Sequence, residues 1–151
     1  LKRVIIDTNI LISAFLWGGR PAAVLTRCLA LNIQMLYTDA TLAEFVETLN
    51  KPKFDRQLAR RDFTRDVIID RWRQFSTLVS ASDVPENVIA DPKDVIILAA
   101  AIGGNADAVI TGDDHLLRLV TFGKARMITT AQFLAIVQST DATSSGTSEE
   151  E

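Results

Sequence analysis

Residues 91–117 read DPKDVIILAAAIGGNADAVITGDDHLL, and the order of elements in this stretch decides the fold. Asp91-Pro92 and Asp94 open an apolar helix. Gly103-Gly104-Asn105 has the look of its C-terminal stop. Ala108 to Ile110 is a short apolar strand, and Thr111-Gly112-Asp113 opens a second helix through Leu116, Leu117 and Leu119. Asp94 and Asp113 therefore sit at opposite ends of two consecutive elements. They meet only if the chain folds back so that both ends face one edge of a sheet.

The chain on either side repeats the strand–acid–helix order. Arg3 to Ile6 is a β-branched apolar run, a buried strand, and Asp7-Thr8-Asn9 then supplies three capping residues ahead of Ile10, Leu11, Ile12, Ala14, Phe15 and Leu16. Gly18-Gly19-Arg20-Pro21 breaks the chain, and Pro21 suits the first turn of the next helix, through Val24, Leu25, Cys28 and Leu29. Ile33 to Tyr37 reads as a second strand. Thr38-Asp39 caps a helix to about Asn50, whose apolar stripe is Leu42, Phe45, Val46 and Leu49. Lys51-Pro52 stops it. Residues 53–63 read as charged and irregular. The spacing of Ile68, Trp72, Phe75 and Val79 predicts a helix over Thr64 to Val79, with a brief strand around Leu78 to Ala81 and a loop from Asp83 to Ala90. Arg126 to Thr129 is the expected last strand, and Thr130 the cap of a final helix through Phe133, Leu134 and Val137. Alternating strands and helices give an α/β fold: a three-layer α/β/α sandwich around a mostly parallel sheet. The expected domain is 1–138. Residues 139–151 hold Ser, Thr, Gly and acids without an apolar anchor, the composition of a disordered acidic tail.

Composition narrows the class. The chain has 151 residues, 48% hydrophobic and 23% charged, which suits one globular domain with a sizeable core. No apolar run is long enough to span a bilayer, and no stretch reads as a secretory signal. Cys28 is the single cysteine, so no internal disulfide forms, as suits a reducing cytoplasm, and its neighbours Leu25, Leu29 and Ala30 mark it as a buried thiol. The net charge of −3 looks wrong for a nucleic-acid partner. Residues 141–151 contain four acids and no base, however, so residues 1–140 carry 16 bases against 15 acids. Between Lys51 and Arg73 stand eight bases and four acids. That segment reads either as a solvated helical face of i,i+4 pairs or as a backbone-contacting rim beside an acidic pocket.

In open parallel sheets, ligands bind outside the carboxyl ends of the strands. Asp7 follows one strand and Asp113 another, and Asp94 lies in the first turn of a helix that begins near the same edge. Taken singly, Asp7, Asp91 and Asp113 are ordinary helix caps. Together they make a repulsive cluster in which each carboxylate raises the next one's pKa unless a cation is present. A divalent ion with hard oxygen ligands, Mg²⁺ or Mn²⁺, relieves that repulsion. On the central helix Glu44 and Glu47 both lie opposite the apolar stripe, and periodicity does not choose between them. His115 reads as an exposed helix-turn residue that is able to assist proton transfer. The sequence has no phosphate-cradling Gly-rich motif with Lys-Ser/Thr and no GxSxG elbow.

Four segments, VIIDTNILISA, LAEFVETLNKPKF, DPKDVIILAAA and DAVITGDDHLL, together resemble the PIN-domain nucleases, and more narrowly the VapC-like toxins of bacterial and archaeal toxin–antitoxin modules. The similarity runs in family order to about Val137. It implies a PIN-like fold and a quartet of Asp7, Glu44, Asp94 and Asp113 as metal ligands and catalytic residues, choosing Glu44 over Glu47. Asn9, Ser13 and Thr111 match small polar residues that support such sites. Relatives often carry a further acid at the place of His115; here the additional acid is Asp114. The implied activity is Mg²⁺- or Mn²⁺-assisted hydrolysis of RNA phosphodiesters by a cytoplasmic toxin. The implied partners are a cognate antitoxin protein and a second copy in a homodimer.

Three other readings stand beside it. One is a PIN nuclease that processes RNA or acts on DNA without being a toxin. Another is a catalytically weak module that works by binding a partner. The third, a phosphotransfer receiver, needs a phosphate-pairing lysine after a late strand, and Lys124 lies instead in a turn beside Gly123.

Overall fold

The computed structural model describes the backbone of residues 1–149 and the side chains of residues 1–139. Six strands form one sheet: β1 (Arg3–Ile6), β2 (Gln34–Tyr37), β3 (Ser76–Leu78), β4 (Ala108–Ile110), β5 (Thr121–Phe122) and β6 (Ala125–Ile128). Eight helices accompany them: α1 (Thr8–Leu16), α2 (Gly19–Ala30), α3 (Asp39–Leu49), α4 (Asp55–Arg61), α5 (Arg65–Phe75), α6 (Pro92–Gly103), α7 (Asp114–Leu117) and α8 (Thr130–Glu149). The strand order is β3-β2-β1-β4-β6-β5, parallel throughout except for β5 against β6.

Burial on both faces explains the near-continuous apolar strands. Val4 and Ile6 of β1 point into one core, with residues of α1, α2, α3, α5 and α8. Ile5 points into the other, with Ile97 and Leu98 of α6 and Leu116 of α7. In β4, Ala108 and Ile110 join the first core and Val109 the second. The sheet is thus the middle of three layers. Cys28 is fully buried in the first core, and burial pushes its thiol up to about 12. No helix among the described residues is long and apolar enough to cross a membrane.

The strand order also locates the crevice. From β1 the chain moves outward through β2 and β3, then returns to place β4 on the other side of β1. Such a reversal leaves an opening above the carboxyl ends of the two central strands. Ile6 is in register with Ile110, so the residues that follow β1 and β4 emerge side by side.

Five local expectations need correction. Residues 53–61 are helical: a 3-10 turn over Pro52–Phe54 leads into α4. Its apolar face is only Phe54 and Leu58, both buried, too few to stand out among the charges. Asp55 in its first turn and Arg60 and Arg61 in its last suit the helix dipole. The helix after Thr64 ends at Phe75, and the strand is at Ser76–Leu78 instead of Leu78–Ala81. There the Ser76 hydroxyl donates to the Trp72 carbonyl, and Met35 to Tyr37 of β2 pair with the chain. The final helix is capped by Thr129, not Thr130: the Gln132 N–H donates to the Thr129 hydroxyl and the Thr129 N–H to the Gln132 amide oxygen. Finally, β5 is an antiparallel edge strand, and the last strand begins one residue earlier than expected, at Ala125. Helix α8 runs past residue 138; among its described side chains the last buried one is Val137. The side chains of the expected tail beyond residue 139, and residues 150 and 151 entirely, lie outside the described residues.

The stop of α6 divides its tasks between residues. Gly103 sits where a Cβ would fall 1.9 Å from the Ser80 carbonyl oxygen, so the chain after β3 crosses directly over it. The left-handed turn is made by Asn105, at φ 53°.

One exposed residue is held in strain. Val120 has φ 62°, a region that β-branched side chains avoid, and it is 67% exposed. It sits in a tight turn in which the Thr121 N–H donates to the Leu119 carbonyl at 2.6 Å. Glycine there relieves about 1–2 kcal/mol of steric cost and returns about 0.4–1 kcal/mol in chain entropy. Val120→Gly is therefore expected to raise the thermal midpoint by up to about 4 °C. A lowered midpoint in calorimetry would mean that Val120 holds the turn by contacts.

Candidate functional site

Asp7, the N-cap of α1, continues the β1–β4 ladder: its N–H donates to the Ile110 carbonyl at 2.9 Å. One carboxylate oxygen accepts from the Asn9 N–H at 3.4 Å. The other accepts from the Thr111 hydroxyl at 2.7 Å. Thr111 is fully buried, and its hydroxyl oxygen also accepts from the Asp113 N–H at 3.0 Å. One threonine thus ties together the acids that follow the two central strands. Asp113 caps α7, one oxygen accepting from the N–H groups of His115 at 2.7 Å and Leu116 at 3.4 Å.

Asp94 lies in the first turn of α6 and is 5% exposed. Its Oδ2 is buried with no hydrogen-bond partner, and the same holds for Oε2 of Glu44 on α3. An ionised carboxylate only accepts, so each of these oxygens lacks a donor. Glu44 is partly buried and Glu47 exposed, a difference that periodicity does not give.

Asp7, Glu44, Asp94 and Asp113 line one pocket of about 140 Å³, together with Asn9, Asp91, Lys93 and Ile97. Two larger clefts, of about 370 and 350 Å³, each have a single acid in their lining. Ser13 is partly buried on α1, while Asp114 and His115 are exposed on α7; none of the three lines the acidic pocket. Three further residues border or influence the site. Asp91 caps α6 by accepting from the Lys93 N–H at 2.9 Å, yet its side chain also borders the pocket. Lys93 brings the one basic side chain of the lining. The Thr8 side chain acts on Glu44 in the opposite sense to burial, drawing its carboxyl down. Lys93 was signalled only by its place beside Asp94.

Crowding and burial perturb the acids. Burial raises Asp7, with help from the charge of Asp113, against the hydrogen bonds from Thr111 and Asn9. Burial and then the charge of Asp7 raise Glu44. Asp94 is pushed up to about 6 by burial first, then by the charges of Asp113, Asp91 and Asp7. Among the described residues no three Asp, Glu, His or Cys side chains are arranged as a preformed cage around one point. The donor chemistry nevertheless fits a hard divalent cation: oxygen ligands only, a surplus of negative charge, and two buried oxygens without a donor.

The PIN domain family model matches residues 3–115, a span containing all four acids. No curated protein sequence matches the chain. Among solved structures, a chain in the crystal structure of VapBC2 from Rickettsia felis bound to a DNA fragment from their promoter has a similar fold. The TM-score is 0.57 at 16% identity, covering 84% of this chain and 98% of that one. At that identity the likeness is one of fold.

The raised acids give the site a defined pH dependence. Asp94 holds its proton up to about 6, against 3.8 as the ordinary value, so the folded chain binds more protons than the unfolded one across that interval. Stability then falls as pH rises through it, unless a cation compensates. Asp107, lowered to about 2 by the backbone bond from Lys2, titrates below this window. In EDTA, the thermal midpoint is expected to be higher near about pH 5 than near about pH 7.5. Asp94→Asn should flatten that difference, and Mn²⁺ should recover stability at the higher pH. A midpoint that rises steadily with pH in EDTA would show that these charges are not in conflict.

Proposed function

This chain belongs to the PIN-domain family, and from that premise we propose that it is a Mg²⁺- or Mn²⁺-dependent endoribonuclease, the toxin of a type II toxin–antitoxin pair. The observation that carries the nuclease reading is the pair of donorless buried oxygens, Asp94 Oδ2 and Glu44 Oε2, in a pocket also lined by Asp7 and Asp113. Asp7, Asp94 and Asp113 would hold the ion, with Glu44 completing the set or orienting the attacking water. Bound there, such an ion lowers the pKa of a water and offsets charge developing on the phosphoryl oxygens.

The chain's own groups prepare this chemistry. Thr111 fixes the Asp7 carboxylate and the Asp113 backbone in one arrangement. The first turn of α7 holds one Asp113 oxygen, which limits rotation of that side chain. Glu44, raised by burial and by Asp7, is suited to accept a proton from water. Lys93 at the pocket offers a positive charge to a backbone phosphate. Asn9 supports the site through its N–H bond to Asp7. Ser13 and Asp114 stand outside the pocket lining and are left with indirect roles.

The toxin reading draws on the resemblance of the four motifs to VapC-like proteins, and the fold likeness to a VapBC2 chain agrees with it. It brings a cognate antitoxin that covers the pocket, and a homodimer, as the expected assemblies.

Cleavage of a labelled single-stranded RNA panel tests the activity. Cutting is expected with Mg²⁺ or Mn²⁺, none with EDTA, and a loss of at least about 100-fold in Asp7→Asn and Asp94→Asn. Undiminished cutting by both variants would remove these acids from the mechanism.

A further inference from the structure

The exposed side of α1 leads away from the acidic pocket. Asn9 is exposed and lines the pocket, Ser13 four residues on is partly buried, and Trp17 four residues further is 54% exposed. At i, i+4, i+8 the three lie along one stripe of the helix. Trp17 ends α1, its N–H donating to the Ser13 carbonyl at 2.9 Å. Asp7 and Trp17 are thus separated by about 15 Å along the helix, at about 1.5 Å per residue.

Basic side chains lie against the residues next to Trp17. Its ring meets the edge of Phe54 at 5.9 Å between centroids, and the Lys53 ammonium lies 5.1 Å from the Phe54 ring centre. The Leu16 carbonyl accepts from Gln57 at 2.6 Å and from Nε of Arg61 at 2.8 Å. An Arg61 terminal nitrogen lies 3.3 Å from where a Gly18 Cβ would stand. Arg61 has five N–H donors, and the hydrogen bond to Leu16 uses the one on Nε. Of the acids beside these cations in sequence, Asp55 is paired with Arg65 at 2.7 Å, and Asp62, next to Arg61, is exposed after the end of α4. An exposed aromatic face near cationic heads fits an unpaired base and its phosphates; an apolar protein partner docking on this end of α1 would also meet Lys53, Arg61 and Gln57.

We infer that Trp17, with Lys53 and Arg61, forms a stacking site for single-stranded RNA, one helix length from the scissile position. The inference deepens the nuclease reading and rests on it for the class of ligand. At about 3.4 Å per stacked nucleotide the interval spans about four nucleotides. The site therefore sets how much strand must be single on one side of the cut, without reading base identity.

The test uses the whole chain in EDTA and an oligouridylate long enough to span both places. Trp72 is 1% exposed, so tryptophan quenching on titration reports Trp17. Quenching is expected in the wild type. By anisotropy with labelled RNA, Trp17→Ala should weaken binding by about 5- to 150-fold, and Trp17→Phe should retain most of it. Lys53→Ala should reduce the slope of log affinity against log salt by about 0.7. Undiminished affinity in Trp17→Ala, or no quenching, overturns the stacking site, whether or not the RNA is cut when Mn²⁺ is added. A changed oligomeric state of Trp17→Ala with unaltered RNA affinity also overturns it, and assigns the face to a second copy. Quenching and weakening with no cutting in Mg²⁺ or Mn²⁺ sustain the stacking site while the nuclease reading falls.

Discussion

The parallel register of β1 against β4 is the constraint on which the site depends. Because Ile6 pairs with Ile110, Asp7 and Thr111 leave the sheet as neighbours, and the Thr111 hydroxyl bonds the Asp7 carboxylate. That hydrogen bond is local only in space, since the two residues stand at opposite ends of the domain's sequence. Everything that fixes the register therefore fixes the site: the alternation of Val4, Ile5 and Ile6 between two cores, and the same alternation in Ala108, Val109 and Ile110. A slip of one residue would turn these side chains to the wrong face and separate the two acids.

Against this framework stands the repulsion it creates. Burial and mutual charge hold Asp7, Glu44 and Asp94 above the ordinary carboxylate range. The fold tolerates this because each acid is anchored by its backbone in a well-formed element, and Asp7, Asp91 and Asp113 also cap helices. Capping does not take Asp113 out of the pocket: it bonds amide hydrogens with one oxygen and still lines the acidic pocket. Under the proposed function a divalent cation would turn the conflict into a binding site, and Lys93 brings one positive charge to the same lining.

Much of this was legible in the sequence because it rests on periodicity and on punctuation. β1, α1, α3, α6 and β4 carry strong apolar patterns bounded by Asp, Thr, Pro or Gly, and their boundaries fall within a residue or so of the expected places. The gathering of Asp7, Asp94 and Asp113 followed from element order. Glu44 did not: only packing distinguishes it from Glu47. What stayed hidden depends on contacts remote in sequence. Helix α4 is held by two apolar residues and by Arg61 and Gln57 reaching the end of α1. β3 exists because β2 offers it a partner, where helical spacing alone carried on to Val79. Lys93 enters the pocket lining through side-chain reach, with no signal in the sequence beyond its place beside Asp94. Trp17 was likewise silent, since a single aromatic after a helix gives no hint of whether it is buried.

The central claim is that the four gathered carboxylates form a divalent-cation site, and the most direct measurement is Mn²⁺ binding by calorimetry near neutral pH without substrate. Wild type is expected to bind. Asp7→Asn, Asp94→Asn, Asp113→Asn and Glu44→Gln should each bind at least about ten-fold more weakly, as loss of a charged ligand requires, and Glu47→Gln should bind as wild type does. No binding by the wild type, or binding indifferent to all four substitutions, would contradict the account.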